Sequence, residues 1–274
     1  MDDSTFLLAY FSALVFLVGG CVGSFLNVCI YRIPREESVV TPRSHCPHCG
    51  AMIAWYDNFP FFSYVFLRAR CRKCGGVISA RYFLVEMLTA VLFLLVWLKY
   101  GFDLRTPVYW MVVSGLILGT FVDFEHMIIP DRVTLGGVIA GLVLSPLIPS
   151  LQGETAALRA LGQAAFSAAL GAGILWGVGM VGKWVLKKDA MGMGDVKLLG
   201  GVGALLGWRA VLFTIMISAV IGTVVGVGLI LTRRKEWQSR IPYGPYLSIA
   251  AVLWILWGAL WWDLYMAWMG GGAY

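Results

Sequence analysis

Long apolar runs, separated by short clusters of charged and turn-forming residues, dominate the chain. Eight are legible, at about residues 5–31, 82–100, 107–125, 132–149, 156–183, 194–206, 208–232 and 243–265. A membrane-crossing helix needs about 20 predominantly apolar residues. The pattern predicts an all-α polytopic membrane protein with about eight transmembrane helices. The run 194–206 is short for a crossing, so it is tilted, buried by neighbours or continuous with the next run. The first run is too long for a signal peptide and follows Asp2 and Asp3 rather than a basic region, which predicts a retained first span. Within it Gly19, Gly20, Gly23 and Ser24 stand three and four apart, a spacing that suits close helix packing.

Composition agrees with this class. Of 274 residues, 59% are hydrophobic and 13% charged, against about a quarter charged in soluble domains. The net charge of +6 follows from loop bias. With the N-terminus outside, Arg32, Arg35, Arg43, Arg68, Arg70, Arg72, Lys73, Arg81, Arg132, Lys183, Lys187, Lys188, Lys197, Arg233, Arg234, Lys235 and Arg240 fall on the cytoplasmic side. Only Lys99, Arg105, Arg159 and Arg209 fall outside, and an excess of basic residues inside sets the orientation.

One interruption has a different character. Residues 32–81 form the one segment large enough to fold outside the membrane, and at that size a core alone is marginal. Two cysteine pairs supply the expected staple: "CPHC" at 46–49 and "CRKC" at 71–74. Each C-x2-C knuckle presents two thiolates to one tetrahedral ion. In the reducing cytosol two disulfides are disfavoured, and two pairs fit zinc better than a redox dithiol. Cys46, Cys49, Cys71 and Cys74 would leave no open coordination position, so the zinc is expected to be structural. His48, inside the first knuckle, is the alternative ligand. Cys21 and Cys29 are expected to be packing residues. The scattered basic residues of a segment tethered at both ends suit anionic lipid, so no nucleic-acid partner is expected.

Acidic residues near the apolar runs carry the candidate chemistry. Asp2, Asp3, Asp103, Glu154 and Asp263 fall outside; Glu36, Glu37, Asp57, Asp189 and Glu236 fall in cytoplasmic loops. Glu86 lies early in the second run. Asp123 ends a run travelling inward and Asp195 begins one travelling outward, so both sit at the cytoplasmic boundary. At that shared depth they can meet as a pair, one ionised to activate water and one protonated to polarise a carbonyl. Gly192 and Gly194 would allow close backbone approach and unusual dihedrals beside Asp195. A structural reading stands alongside: Asp195 pairs with Lys197 or caps its helix, and Asp123 is a solvated helix end. Asp131 follows Pro130 and is expected to cap the fourth span. Glu125 and His126 read as loop residues. Acids at the edge of the membrane rather than its midplane count against a transporter.

The residues resemble a known family. "GMGDVK" matches the G-x-G-D motif of membrane aspartyl proteases, and with "VDFEHMIIPD" the chain is similar to the bacterial type IV prepilin peptidases. The resemblance extends through "GSFLNVCIYRIPR" at 23–35, both cysteine pairs, "DNFPFFSYVFLRARCRKCG" at 57–75, "RYFLVEMLTA" at 81–90 and "IPYGPYLSIAA" at 241–251. It implies an aspartyl endopeptidase with Asp123 and Asp195 as the catalytic pair, cutting the leader from type IV prepilins or type II secretion pseudopilins after a glycine, at the cytoplasmic face of the inner membrane. It also implies N-methylation of the new terminus from S-adenosylmethionine, associated with the domain between the first two spans. Expected domains are a first span (1–31), a cytoplasmic zinc-binding domain (32–81) and a peptidase domain (82–274). No glycine loop of the dinucleotide type marks a donor site; Glu36, Glu37 and Asp57 are candidates for a donor or amine contact. The competing reading is a non-catalytic membrane assembly protein that docks partners through its zinc domain.

Overall fold

The computed structural model describes residues 3–187, 191–232 and 242–270. Asp2, Lys188, Asp189, Arg233, Arg234, Lys235, Glu236 and Arg240, each given a side of the membrane above, lie outside the described residues. Among the described residues there are helices and two isolated β-bridges but no strand. The helices are α1 (Asp3–Arg32), α2 (Phe62–Phe66), α3 (Ala80–Tyr100), α4 (Arg105–His126), α5 (Asp131–Leu147), α6 (Ala157–Leu186), α7 (Met193–Leu206), α8 (Trp208–Leu231) and α9 (Gly244–Trp268). All eight apolar runs are helical. Six of these helices, α1, α3, α4, α6, α8 and α9, are long and apolar enough to cross a membrane. The other two, α5 and α7, have 17 and 14 residues, which at about 1.5 Å per residue fall short of a hydrocarbon core about 30 Å thick. The chain divides into two compact units, Met1–Leu118 and Gly119–Tyr274.

In the first unit α1 and α3 run antiparallel at close range. A Cβ added at Gly19 or Gly23 would lie 2.7 Å from the Cα of Ala90 or Glu86, so the small residues of α1 are what admits α3. Asn27 extends the seam by donating to the Tyr82 carbonyl at 3.0 Å. A short turn of the intervening segment also packs on α1. Phe61, buried with φ +60°, lies against Gly20 and Phe16. A bulky residue in that region persists only where its surroundings over-determine it. Here the Phe61 N–H donates to the Glu86 carboxylate at 3.0 Å, inside a site where Glu86 is 8% exposed. An N–H buried that deeply needs a partner, and an acid on α3 supplies it.

In the second unit α7 is the centre. From Asp195 to Leu206 all its residues except Lys197 are buried, and α5, α6, α8 and α9 pack around it. A helix apolar on every side is stable only in such a position. Its far end is finished by Gln152 and Ser145, which donate to the Ala204 carbonyl at 2.7 and 3.2 Å. Gly207, at φ +85°, then turns the chain into α8. The outer faces carry exposed Trp176, Trp184 and Val224, the surface a bilayer would cover.

Candidate active site and metal centre

The four cysteines converge. The sulfurs of Cys46, Cys49, Cys71 and Cys74 all lie within 4.8 Å of one another, with Cys46 and Cys74 at 3.8 Å. Tetrahedral Zn–S bonds of about 2.3 Å require sulfurs about 3.8 Å apart, so this set fits zinc. Backbone N–H groups of Cys74 and Lys73 lower the Cys71 thiol to about 6. The Gly76 N–H also favours a Cys74 thiolate, but desolvation and the neighbouring thiols outweigh it and push Cys74 up to about 11. A dication would let all four ionise together. His48 is outside the set: its Nε2 faces the Val77 carbonyl at 3.3 Å.

The two knuckles are copies of each other. The Cys46 N–H donates to Ala51 O and that of Gly50 to Cys46 O; 25 residues later Cys71 N–H donates to Gly76 O and that of Gly75 to Cys71 O. The bridges His45–Met52 and Arg70–Val77, and the bonds Ile53–Ser44 and Ile78–Ala69, keep the same offset. Gly50 and Gly75 both hold positive φ, +69° and +70°, the conformation that closes each knuckle and favours glycine. The glycine following each cysteine pair, "CPHCG" and "CRKCG", is the sequence signal of this repeat.

Asp123 and Asp195 face one site within the second unit. Asp123 stands one turn before the end of α4 and Asp195 in the first turn of α7; they are 6% and 9% exposed. Their carboxylates are close enough to interact electrostatically. Asp123 Oδ2 accepts the Gly244 N–H at 3.1 Å. Ile129, 8% exposed, stands between the two halves, in contact distance of both Gly194 and Gly244. Neither Gly244 nor Ile129 is marked as a site residue by the sequence. The close approach expected of Gly194 is present, since a Cβ there would lie 3.2 Å from Ile129 Cβ. Gly192 clears the Asp195 carboxylate, but its φ of −76° is ordinary, so no unusual dihedral is needed there. Tyr243 lies within electrostatic range of Asp195 and shares a 2.8 Å hydrogen bond with Ser218.

Lys197 does not pair with Asp195. Its Nζ bonds Asp131 Oδ1 at 2.7 Å, half in solvent. Asp131 is the first residue of α5, with Pro130 at the cap position, so it is not the cap; it also accepts from Thr134 Oγ1 at 3.4 Å. The candidates for the donor contact are dispersed. Glu36 and Glu37 are exposed at the end of α1, Glu36 in a left-handed conformation that closes a short 3-10 turn. Asp57 is held by Arg72 of the second knuckle, at 2.6 and 2.9 Å, and raises the Arg72 guanidinium further above its ordinary value. That ion pair ties the 55–58 turn to the metal centre.

Two family models match the chain. The Bacterial Peptidase A24 N-terminal domain covers residues 17–100 and the Type IV leader peptidase family covers residues 110–227. A protein of Aeromonas hydrophila is 37% identical over 91% of both chains. One of Pseudomonas aeruginosa is 33% identical over 88% of this chain and 89% of its own. One of Myxococcus xanthus is 40% identical over 81% of this chain and 64% of its own. Each is named a prepilin leader peptidase/N-methyltransferase. No solved structure matches the chain.

Proposed function

From the premise that this chain belongs to the type IV leader peptidase family, we propose that it is a membrane aspartyl endopeptidase with an attached N-methyltransferase. It removes the leader from prepilins or pseudopilins, after a glycine, at the cytoplasmic face of the inner membrane. The observation that carries the reading is the buried pair Asp123 and Asp195, brought together from two helix ends. The ionised member takes a proton from water as the oxygen adds to the scissile carbonyl. The protonated member donates to that carbonyl oxygen, and collapse passes a proton to the departing amine. The Gly244 N–H fixes one Asp123 oxygen, which leaves the other to face the reaction.

The topology follows from the same reading. The eight helices other than α2 cross or fill the membrane, the N-terminus lies outside, and the shorter α5 and α7 are held in it by packing within the bundle. The division into a first span, a zinc-binding domain and a peptidase domain is part of the proposal. Cys46, Cys49, Cys71 and Cys74 hold a structural zinc. S-adenosylmethionine, when bound, would supply an electrophilic methyl group for the newly exposed N-terminal amine.

The test is cleavage of a candidate prepilin by the purified enzyme, followed by mass spectrometry with and without S-adenosylmethionine. Asp123→Asn or Asp195→Asn should each slow cleavage by about 100-fold or more, the scale of a lost acid or base. Cleavage at the wild-type rate by either variant would refute the pair and favour a non-catalytic assembly role.

A further inference from the structure

The stretch 58–67, between Asp57 and Arg68, carries no charge. Its bend is buried: Pro60 and Phe61 pack on α1 at Gly20. The helix that follows, α2, buries none of its residues. Phe62, Val65 and Phe66 stand at i, i+3 and i+4, so they share one face of it. All three are exposed, Phe66 by 80%. Phe59 is exposed beside them, its ring 6.1 Å from that of Phe62. A contiguous apolar patch of this kind marks a surface that something covers.

We propose that this turn is re-entrant: it dips into the cytoplasmic leaflet beside α1 and α3, and lipid acyl chains cover Phe59, Phe62, Val65 and Phe66. The proposal rests on the reading above, in which α1 and α3 cross the membrane and the segment between them is cytoplasmic.

Depth carries the argument. Gly19 and Gly23 of α1 face Ala90 and Glu86 of α3, so Gly20 and the bend seated on it lie at the level of those two residues. Glu86 and Ala90 stand about 9 and 15 Å along α3 from Ala80. With its 21 residues α3 has the length that crosses the hydrocarbon. Two further ties hold the turn there: the Phe61 N–H donates to Glu86, and the Tyr64 ring lies 5.3 Å from that of Phe83. At the same level α3 itself exposes Leu84 and Leu88. The outward face of α2 therefore continues an apolar surface below the headgroups.

The backbone is prepared for that solvent. Lipid supplies no hydrogen bonds, and irregular backbone persists in it when buried in protein, as Pro60 and Phe61 are. Pro60 has no N–H to satisfy. The Phe59 N–H donates to Ser63 Oγ at 3.0 Å, and Ser63 Oγ donates to the Tyr56 carbonyl at 3.2 Å. The N–H groups of Ser63, Val65 and Leu67 bond back to the carbonyls of Phe59, Phe61 and Ser63. Charge returns as the chain leaves: Arg68, Arg70 and Lys73 are exposed, where anionic headgroups receive them. The second cysteine knuckle is thereby held at the headgroup layer.

The experiment uses the full chain, one per phosphatidylcholine–phosphatidylglycerol nanodisc, and an apolar diazirine that partitions into acyl chains. Adducts are read residue by residue by mass spectrometry, with glutathione present to quench carbene in water. Residues 59–66 should be labelled as strongly as the exposed face of α8 around Val224. Phe66→Asp should reduce labelling at Phe59 and Phe62 about fivefold or more, because a carboxylate is costly in hydrocarbon. Phe66→Leu should leave it unchanged, and thermal melting checks that both variants are folded. Labelling of α1, α3 and α8 without the turn overturns the proposal alone, as does full labelling of the turn in Phe66→Asp. Loss of labelling when several chains share a disc overturns it in favour of a second copy. Absence of label from α1 and α3 overturns the membrane-crossing reading and the re-entrant turn with it.

Discussion

A methyl group at position 244 has no room. It would lie 2.8 Å from the Asp123 carboxylate oxygen and 2.9 Å from Ile129 Cδ1. Both neighbours are ends of side chains, so the backbone can stay while the carboxylate moves. Gly244→Ala is therefore expected to lower prepilin cleavage at least tenfold while leaving zinc content intact, a contrast that elemental analysis beside a cleavage assay would reveal. Lys197 is the opposite case. Its bond to Asp131 is partly solvated, and such pairs contribute about 0–1 kcal/mol. Lys197→Met should shift the melting temperature little, and adding Asp131→Asn should shift it little more. Depth along the apolar runs is enough to put Asp123 and Asp195 together, because a carboxylate at the edge of hydrocarbon stands out. Ile129 and Gly244 bear no such mark: one is apolar beside apolar runs, the other is one of 33 glycines. Lys197 illustrates the converse limit, since proximity in sequence to Asp195 says nothing of a partner 66 residues away.

Among the elements, the paired knuckles behave as one unit. Because each contributes two sulfurs through the same backbone pattern, Cys46→Ser and Cys71→Ser should each lower bound zinc from about one per chain, and to the same extent. Loss from one variant alone would contradict the symmetry. The turn at Phe61 depends on Glu86 in a different way. Removing the acceptor leaves a buried N–H unsatisfied, which costs about 1–3 kcal/mol. Glu86→Leu should therefore melt earlier than Glu86→Gln, which keeps an acceptor. Helix α7 shows why the length of an apolar run is an incomplete guide. Its 14 residues look too short to be stable in a bilayer, yet four neighbouring helices enclose it. Enclosure is a property of the partners and leaves no trace in the run itself.

For the whole molecule, the number of crossings fixes which side each turn faces. If α5 and α7 complete their crossings, the 149–156 turn faces outside; if only the six long helices cross, it faces the cytoplasm. A cysteine at Thr155, which is exposed, decides between them. An impermeant maleimide added to intact cells should label Thr155→Cys at that peptide, and labelling only after permeabilisation would favour six. Class and helix order were readable from hydropathy because the bilayer imposes them on every residue of a span. The turn that seats Phe61 against α1 was not, because it belongs to a segment with no periodicity and its acceptor, Glu86, is 25 residues further on.

The buried turn at Phe61 also has a history. During synthesis α1 emerges first, then the turn, then the second knuckle, and Glu86 only afterwards. With α3, 21 residues long, spanning the hydrocarbon, Glu86 would lie about 9 Å inside its boundary. The Phe61 N–H thus has no acid to receive it until α3 has been threaded into the bilayer. Zinc can close the knuckles while the turn still waits in water. The metal would then hold a finished hairpin at the doorway, and the arrival of α3 would draw it in.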